Sequence, residues 1–297
     1  MKQVHLGPVA SRREAISAGG LVLAGAVGLA PAPSSPGSIV FGANRSAYRG
    51  LHAAAPLAVG LRWYFDIENQ FPRAWPRPFP GAHMTLSLRP NPKDLLSGRL
   101  DSHLKALIDS APPHSELTFW HENTTGNPLR YPPSVNNART AVRMQKYGHM
   151  LCRGTSVLFG VITVGPAIYQ LGWMAPGLDW YGDDLYEFAR LRNRDGTFSR
   201  TKVIARLYAN LHAWQKVSGK KAPAIRICET NSRYDSHRAE LFTTIAYWMA
   251  RHNGNRILTY WNRRDRGLSG PWPPSEAVID QLISLSKEYN WTSLGGR

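Results

Sequence analysis

From residue 38 onward the chain alternates short apolar runs with longer segments in which apolar residues recur every three or four positions. The short runs occupy 38–44, 57–65, 82–89, 116–122, 157–164, 177–184, 224–230 and 256–262, and each reads as a β-strand. The clearest helical patterns fall between them, at 100–111, 138–151, 199–217 and 236–252, with one more at 275–289. Ser199, Ser236 and Ser275 mark helix starts, the last directly after Pro273-Pro274. Strands alternating with helices imply βα units and a parallel sheet. Eight such strands predict a closed (β/α)8 TIM barrel in the α/β class rather than an open sheet. The first units carry weak helices, and 62–81 reads as a long proline-rich loop. No internal repeat and no linker interrupts 38–297, which is taken as one domain.

Residues 1–37 have another character. Ser11-Arg12-Arg13, with Ile16 at a position that favours an apolar residue, precedes a weakly hydrophobic Gly/Ala/Leu/Val stretch. This resembles a twin-arginine export signal. Ala30-Pro31-Ala32 has the small residues of a cleavage site, whereas Pro33 disfavours a peptidase. Cleavage and an uncleaved N-terminal anchor both stay open, and the expected location is extracellular or cell-envelope associated.

A hydrophobic fraction of 43% excludes global disorder, and ten tryptophans exceed what a core of this size requires. The surplus suits stacking on sugar rings or filling a barrel. The net charge of +16 favours polyanionic surroundings such as acidic cell-wall polymers. Basic residues form no dense tract and no nucleic-acid motif occurs, so specific nucleic-acid binding is not expected. Cys152 and Cys228 have neither metal-ligand spacing nor a redox motif, and whether they pair is open. With no zinc signature and no glycine-rich phosphate loop, no metal and no cofactor is expected, and a monomer is.

Barrel enzymes act at the C-terminal ends of their strands. The polar residues there include Asp66, Arg89, His121-Glu122-Asn123, Asp183-Asp184, Tyr186, Glu229 and Trp261. Glu122 ends strand 4 and Glu229 ends strand 7, facing each other across the mouth. Such a carboxyl pair suits glycoside hydrolysis, in which one group protonates the leaving oxygen and the other attacks the sugar or activates water. The environments must differ: the apolar Trp120 and His121 would hold a proton on Glu122, while Tyr186 or an arginine would keep Glu229 ionised. Strict alternation sets Glu122 and Trp120 on one face of strand 4 and His121 on the other, so His121 reaches the site only if the strand end bends or bulges.

This arrangement resembles the clan A glycoside hydrolases, and the His121-Glu122 pair resembles family 26, the family of endo-β-mannanases with some β-xylanases and mixed-linkage glucanases. The resemblance implies a retaining double displacement with Glu122 as acid/base and Glu229, within Cys228-Glu229-Thr230-Asn231, as nucleophile. The run 179–186, DWYGDDLY, is similar to the family's strand-6 motif; Tyr186 would then hydrogen-bond the nucleophile, with Asp184 beside it. Trp261 would be the platform under the reacting sugar. His121, Asn123, Asp66 and Arg89 complete the expected substrate-binding set. Thr118-Phe119-Trp120 stands where mannanases carry Arg-Pro, and 123–133 lacks their Trp-rich segment. The implied substrate is therefore mannan or another β-1,4- or β-1,3-linked glycan. A barrel that binds carbohydrate without catalysis, and an exported polyanion-binding protein, are the alternatives.

Overall fold

The computed structural model describes residues 39–44, 60–65, 67–77, 83–113, 115–121, 137–186, 191–232, 234–251, 256–260, 280–281 and 284–285. The proposed export signal lies outside them. The strands are β1 (Ile39–Asn44), β2 (Gly60–Tyr64), β3 (His83–Leu88), β4 (Glu116–Phe119), β5 (Leu158–Val164), β6 (Trp180–Tyr186), β7 (Ala224–Asn231) and β8 (Arg256–Tyr260). Each pairs in parallel with the next and β8 pairs with β1, closing the strands into a ring.

Every predicted run overlaps one of these strands. Some C-terminal ends differ: β4 stops at Phe119 rather than 122, β6 extends to Tyr186, and β7 runs one residue further to Asn231. On β3 to β6 the alternation separates two environments. Leu86, Leu88, Leu117, Phe119, Phe159, Val161, Tyr181 and Leu185 belong to the main apolar core shared with the helices. Thr85, Ser87, Glu116 and Asp184, at the opposite parity, are buried and polar.

The helices are α1 (Pro92–Leu96), α2 (Asp101–Asp109), α3 (Ala138–Cys152), α4 (Arg200–Ser218) and α5 (Asp235–Ala250). Asn91 caps α1, its side chain accepting from the amides of Lys93 and Asp94, and Asn137 caps α3 through the Thr140 amide. Ser199 stands at the α4 N-cap but makes no capping hydrogen bond there. Ser236 is not a cap, because α5 begins one residue earlier at Asp235. Gly219 closes α4 at φ +70°, a left-handed stop that glycine adopts without Cβ strain.

Helices follow β3, β4, β6 and β7, while after β5 the chain forms short 3-10 turns over Ala167–Trp173, interrupted at Gln170. This piece is too short to show a helical period, and its neighbours hold it. The Ala167 amide donates to Asn210 Oδ1 on α4 (2.7 Å), and Gln145 of α3 bonds Trp173 O (2.8 Å) and the Ala175 amide (2.7 Å). After β2, residues 67–77 contain no helix, in keeping with the expected proline-rich loop. The molecule is thus an α/β protein with parallel strands, and its helical layer is described in part. No helix among the described residues is long and apolar enough to cross a membrane.

Candidate active site

Ion pairs span the ring. Arg62 on β2 reaches Asp184 on β6 at 3.1 Å, both essentially without solvent exposure. In an eight-strand ring β2 and β6 are opposite, so this pair crosses the interior. Glu116 on β4 meets Arg226 on β7 at 2.6 Å, and its other oxygen accepts from Thr85 Oγ1 at 2.9 Å. Beside these charges Ile162, Trp180 and Cys228 form a small apolar cluster. Glycines make room for it: a Cβ on Gly160 would lie 2.0 Å from the Trp180 ring, and one on Gly182 would lie 2.5 Å from Cys228 Sγ. Among the described residues the interior is therefore charged rather than oily. Removing one member of such a buried pair leaves an uncompensated charge, so the pairs act as units.

The end of β4 bends at one residue. Trp120 adopts φ +48°, a left-handed conformation rare for a bulky side chain and held only where surroundings over-determine it. Its amide donates to Leu88 O (2.9 Å) and its indole Nε1 to Pro90 O (2.6 Å), with the Arg89 guanidinium 5.4 Å from the ring. Those contacts fix Trp120 and break the alternation after it. His121 is consequently buried against the inner residues of β2 and β3: its Nδ1 is 2.5 Å from Ser87 Oγ, and its ring meets Tyr64 edge-on at 4.3 Å. The bend that the parity argument required is present. Tyr64 also lies under the Arg62 guanidinium, 4.6 Å from its centroid, so His121 and the Arg62–Asp184 pair share a neighbour.

A second irregularity occurs on β7. Asp183 pairs with Ile227, but Asp184 pairs with Glu229, so the ladder skips Cys228 as a β-bulge does. Without the shift Cys228 would stand opposite Asp184. With it, Glu229 takes that position, followed by Thr230 opposite Leu185 and Asn231 opposite Tyr186. Thr230 Oγ1 donates to Leu185 O at 2.8 Å and fixes the new register.

The two aspartates of β6 part company here. Asp183 belongs to the outer layer, where Arg206 Nη2 reaches both of its oxygens (2.9 and 2.8 Å) and Asn210 Nδ2 adds a bond of 2.7 Å. It ties α4 to the sheet, whereas Asp184 belongs to the interior.

Both cysteines are free and buried. Burial pushes the Cys152 thiol up to about 12, with Asp179 adding to the shift. Burial also raises Cys228 well above the ordinary thiol value, in part opposed by Arg62. Neither is a reactive thiolate.

Of the residues expected at the site, His121, Asp184, Tyr186 and Arg89 lie at the C-terminal ends of β4, β6 and β3, with Tyr186 half-buried. Glu229 is located by its place on β7. Glu122, Asn123, Asp66 and Trp261 lie outside the described residues. Sequence reasoning passed over Arg62, Tyr64, Ser87, Glu116 and Arg226. A signal for the charged ones existed, since Arg62, Glu116 and Arg226 each place a charge in or against an otherwise apolar strand run. Among the described residues no group of side chains could hold a metal ion.

No protein-family model and no curated protein matches the chain. Solved structures do resemble it. A modular endo-β-1,4-mannanase from Cellulomonas fimi, of glycoside hydrolase family 26, is 13% identical with a TM-score of 0.55, over 88% of this chain and 74% of that one. Saccharomyces cerevisiae Gas2p, solved with laminaritetraose and laminaripentaose, is 10% identical with a TM-score of 0.51, over 84% and 59%. The YdhT protein of Bacillus subtilis is 10% identical with a TM-score of 0.51, over 89% and 88%. At these identities the likeness is one of fold, shared with proteins that include glycoside hydrolases.

Proposed function

We propose that the protein is an exported retaining β-glycosidase built on a complete (β/α)8 barrel. Glu122 serves as acid/base and Glu229 as nucleophile on a β-linked glycan. The observation that carries this reading is the register shift at Cys228, which sets Glu229 rather than an inert thiol opposite Asp184 at the mouth of the ring. Asp184 is tied to Arg62, so a guanidinium stands close to that position and favours an ionised carboxylate there. On this reading the indole of Trp120, buried two residues before Glu122 in the chain, would favour a protonated carboxyl there.

In the proposed reaction the Glu229 carboxylate attacks the anomeric carbon while Glu122 donates its proton to the departing oxygen, giving a glycosyl-enzyme. Water, deprotonated by Glu122, then releases the sugar and regenerates both groups. Trp261, Tyr186, Asp184, Asn123, Asp66 and Arg89 hold the sugar or the nucleophile. The first 37 residues export the folded protein by the twin-arginine route.

The test is a panel of mannan, xylan, mixed-linkage glucan and laminarin read by release of reducing ends, with Glu229→Ala as control. Release by the intact protein, a burst with an activated aryl glycoside, and loss of both in the variant are expected. Polysaccharide binding with no release by either protein would replace the enzyme with a sugar-binding barrel.

A further inference from the structure

The outer wall carries a charge asymmetry that the barrel mouth does not use. No Asp or Glu occurs between Glu122 and Asp179. Within that stretch, Arg139, Arg143, Lys146 and Arg153 follow one another on α3 and the turn after it at spacings of four, three and seven, and all are exposed. Residues so spaced lie on one helix face, and the row runs for about 21 Å at the helical rise. Met150, 51% exposed, occupies the gap in the row. Among the described residues none of these four cations has an acidic partner.

Next to α3 lie the 3-10 turns, and there Tyr169 is 83% exposed, the most exposed large hydrophobic side chain among the described residues. The two pieces are held together, because Gln145 of α3 donates to Trp173 O and accepts from the Ala175 amide. A row of cations and a bare aromatic ring on the adjoining turns together have a specific use. The cations neutralise regularly spaced anions, and the ring stacks on the apolar face of a sugar.

We infer that the face formed by α3 and Tyr169 binds an acidic polysaccharide chain, separately from the barrel mouth. The choice of a glycan over other polyanions rests on the glycosidase reading; the cation row does not. A thin extended polymer fits one straight row with a single stacking ring. Duplex nucleic acid calls for a helix or ribbon entering a groove, and single strands for successive stacking rings.

The experiment measures binding of polygalacturonate and its fully methyl-esterified form to the full-length protein by titration calorimetry at low and high salt. The quadruple variant Arg139→Gln/Arg143→Gln/Lys146→Gln/Arg153→Gln and Tyr169→Ala are compared with it, thermal melting checks folding, and hydrolysis of a neutral oligosaccharide is followed alongside. The intact protein should bind the acid form, weaken with salt, and ignore the ester. The quadruple variant should lose at least about ten-fold and Tyr169→Ala a few-fold, with any hydrolysis unchanged. Absence of hydrolysis with this binding pattern intact would remove the glycosidase reading and leave the acidic-polymer face standing. Unchanged binding in both variants would overturn the face. So would equal binding of single-stranded DNA or anionic vesicles, which would make it a general polyanion surface.

Discussion

Asp183 and Asp184 are neighbours in the chain and both are fully buried, yet they do different things. Asp183 holds α4 to the outside of the sheet through Arg206 and Asn210. Asp184 meets Arg62 from the opposite side of the ring, in register with Glu229. A strand turns successive side chains to opposite faces, so one dipeptide supplies both an outer and an inner carboxylate. Burial and ion pairing, commonly read as marks of a functional site, describe both equally. What separates them is the partner and the face.

The sharpest way to break that distinction is to remove the outer charge. Asp183→Ala leaves Arg206 buried without its carboxylate and is expected to lower the unfolding free energy by about 3–5 kcal/mol, measured by urea titration. A loss below about 1 kcal/mol would mean the pair does not hold α4. Next comes Asp184→Asn, which keeps the shape but weakens the grip on Arg62. On the glycosidase reading turnover should fall by about 100-fold, the scale set by misplacing a catalytic group, whereas Asp183→Asn should leave the turnover of its folded fraction unchanged. Equal turnover losses in both would erase the division between faces.

A smaller effect is expected from Gly160→Ala, whose methyl would enter the Trp180 ring. It should cost about 1–3 kcal/mol by overpacking, read as a lower melting temperature, and a neutral result would show that the apolar side of the interior has spare room. The smallest concerns Cys152. Its folded thiol titrates near 12 against an ordinary value of 9.0, so below the ordinary value both states keep the proton and the contribution to stability is whole. As pH rises from there toward about 12 the unfolded chain releases its proton first, and stability declines. Urea titrations below and within this interval should show a steeper decline for the intact protein than for Cys152→Ala. Identical slopes would contradict the burial effect.

Much of the fold was legible because its cause is local. Apolar runs of strand length and helical spacing of three and four are set by which residues tolerate which backbone, and every strand overlaps a predicted run. The α3 pattern is a good instance, predicted over 138–151 and observed over Ala138–Cys152. The 3-10 turns were not legible, since seven residues with an interruption at Gln170 show no period and owe their form to Gln145 and Asn210 on other helices. Ser236 misled for a related reason: a serine before an apolar run is a common cap, but here the helix had already begun at Asp235.

The site divides in the same way. Sequence alone nominated the carboxylates and the histidine and assigned them to strand ends, because residue type and parity need no partner. The tertiary structure decided which face each residue serves. The left-handed Trp120, pinned by Leu88 and Pro90 on a neighbouring segment, turns His121 inward. The skipped Cys228 brings Glu229 opposite Asp184. Both depend on contacts between segments distant in the chain, and a one-residue change of register moves a side chain to the other face of a sheet. The chemistry is written along the sequence, but where it points is settled only when the strands are paired.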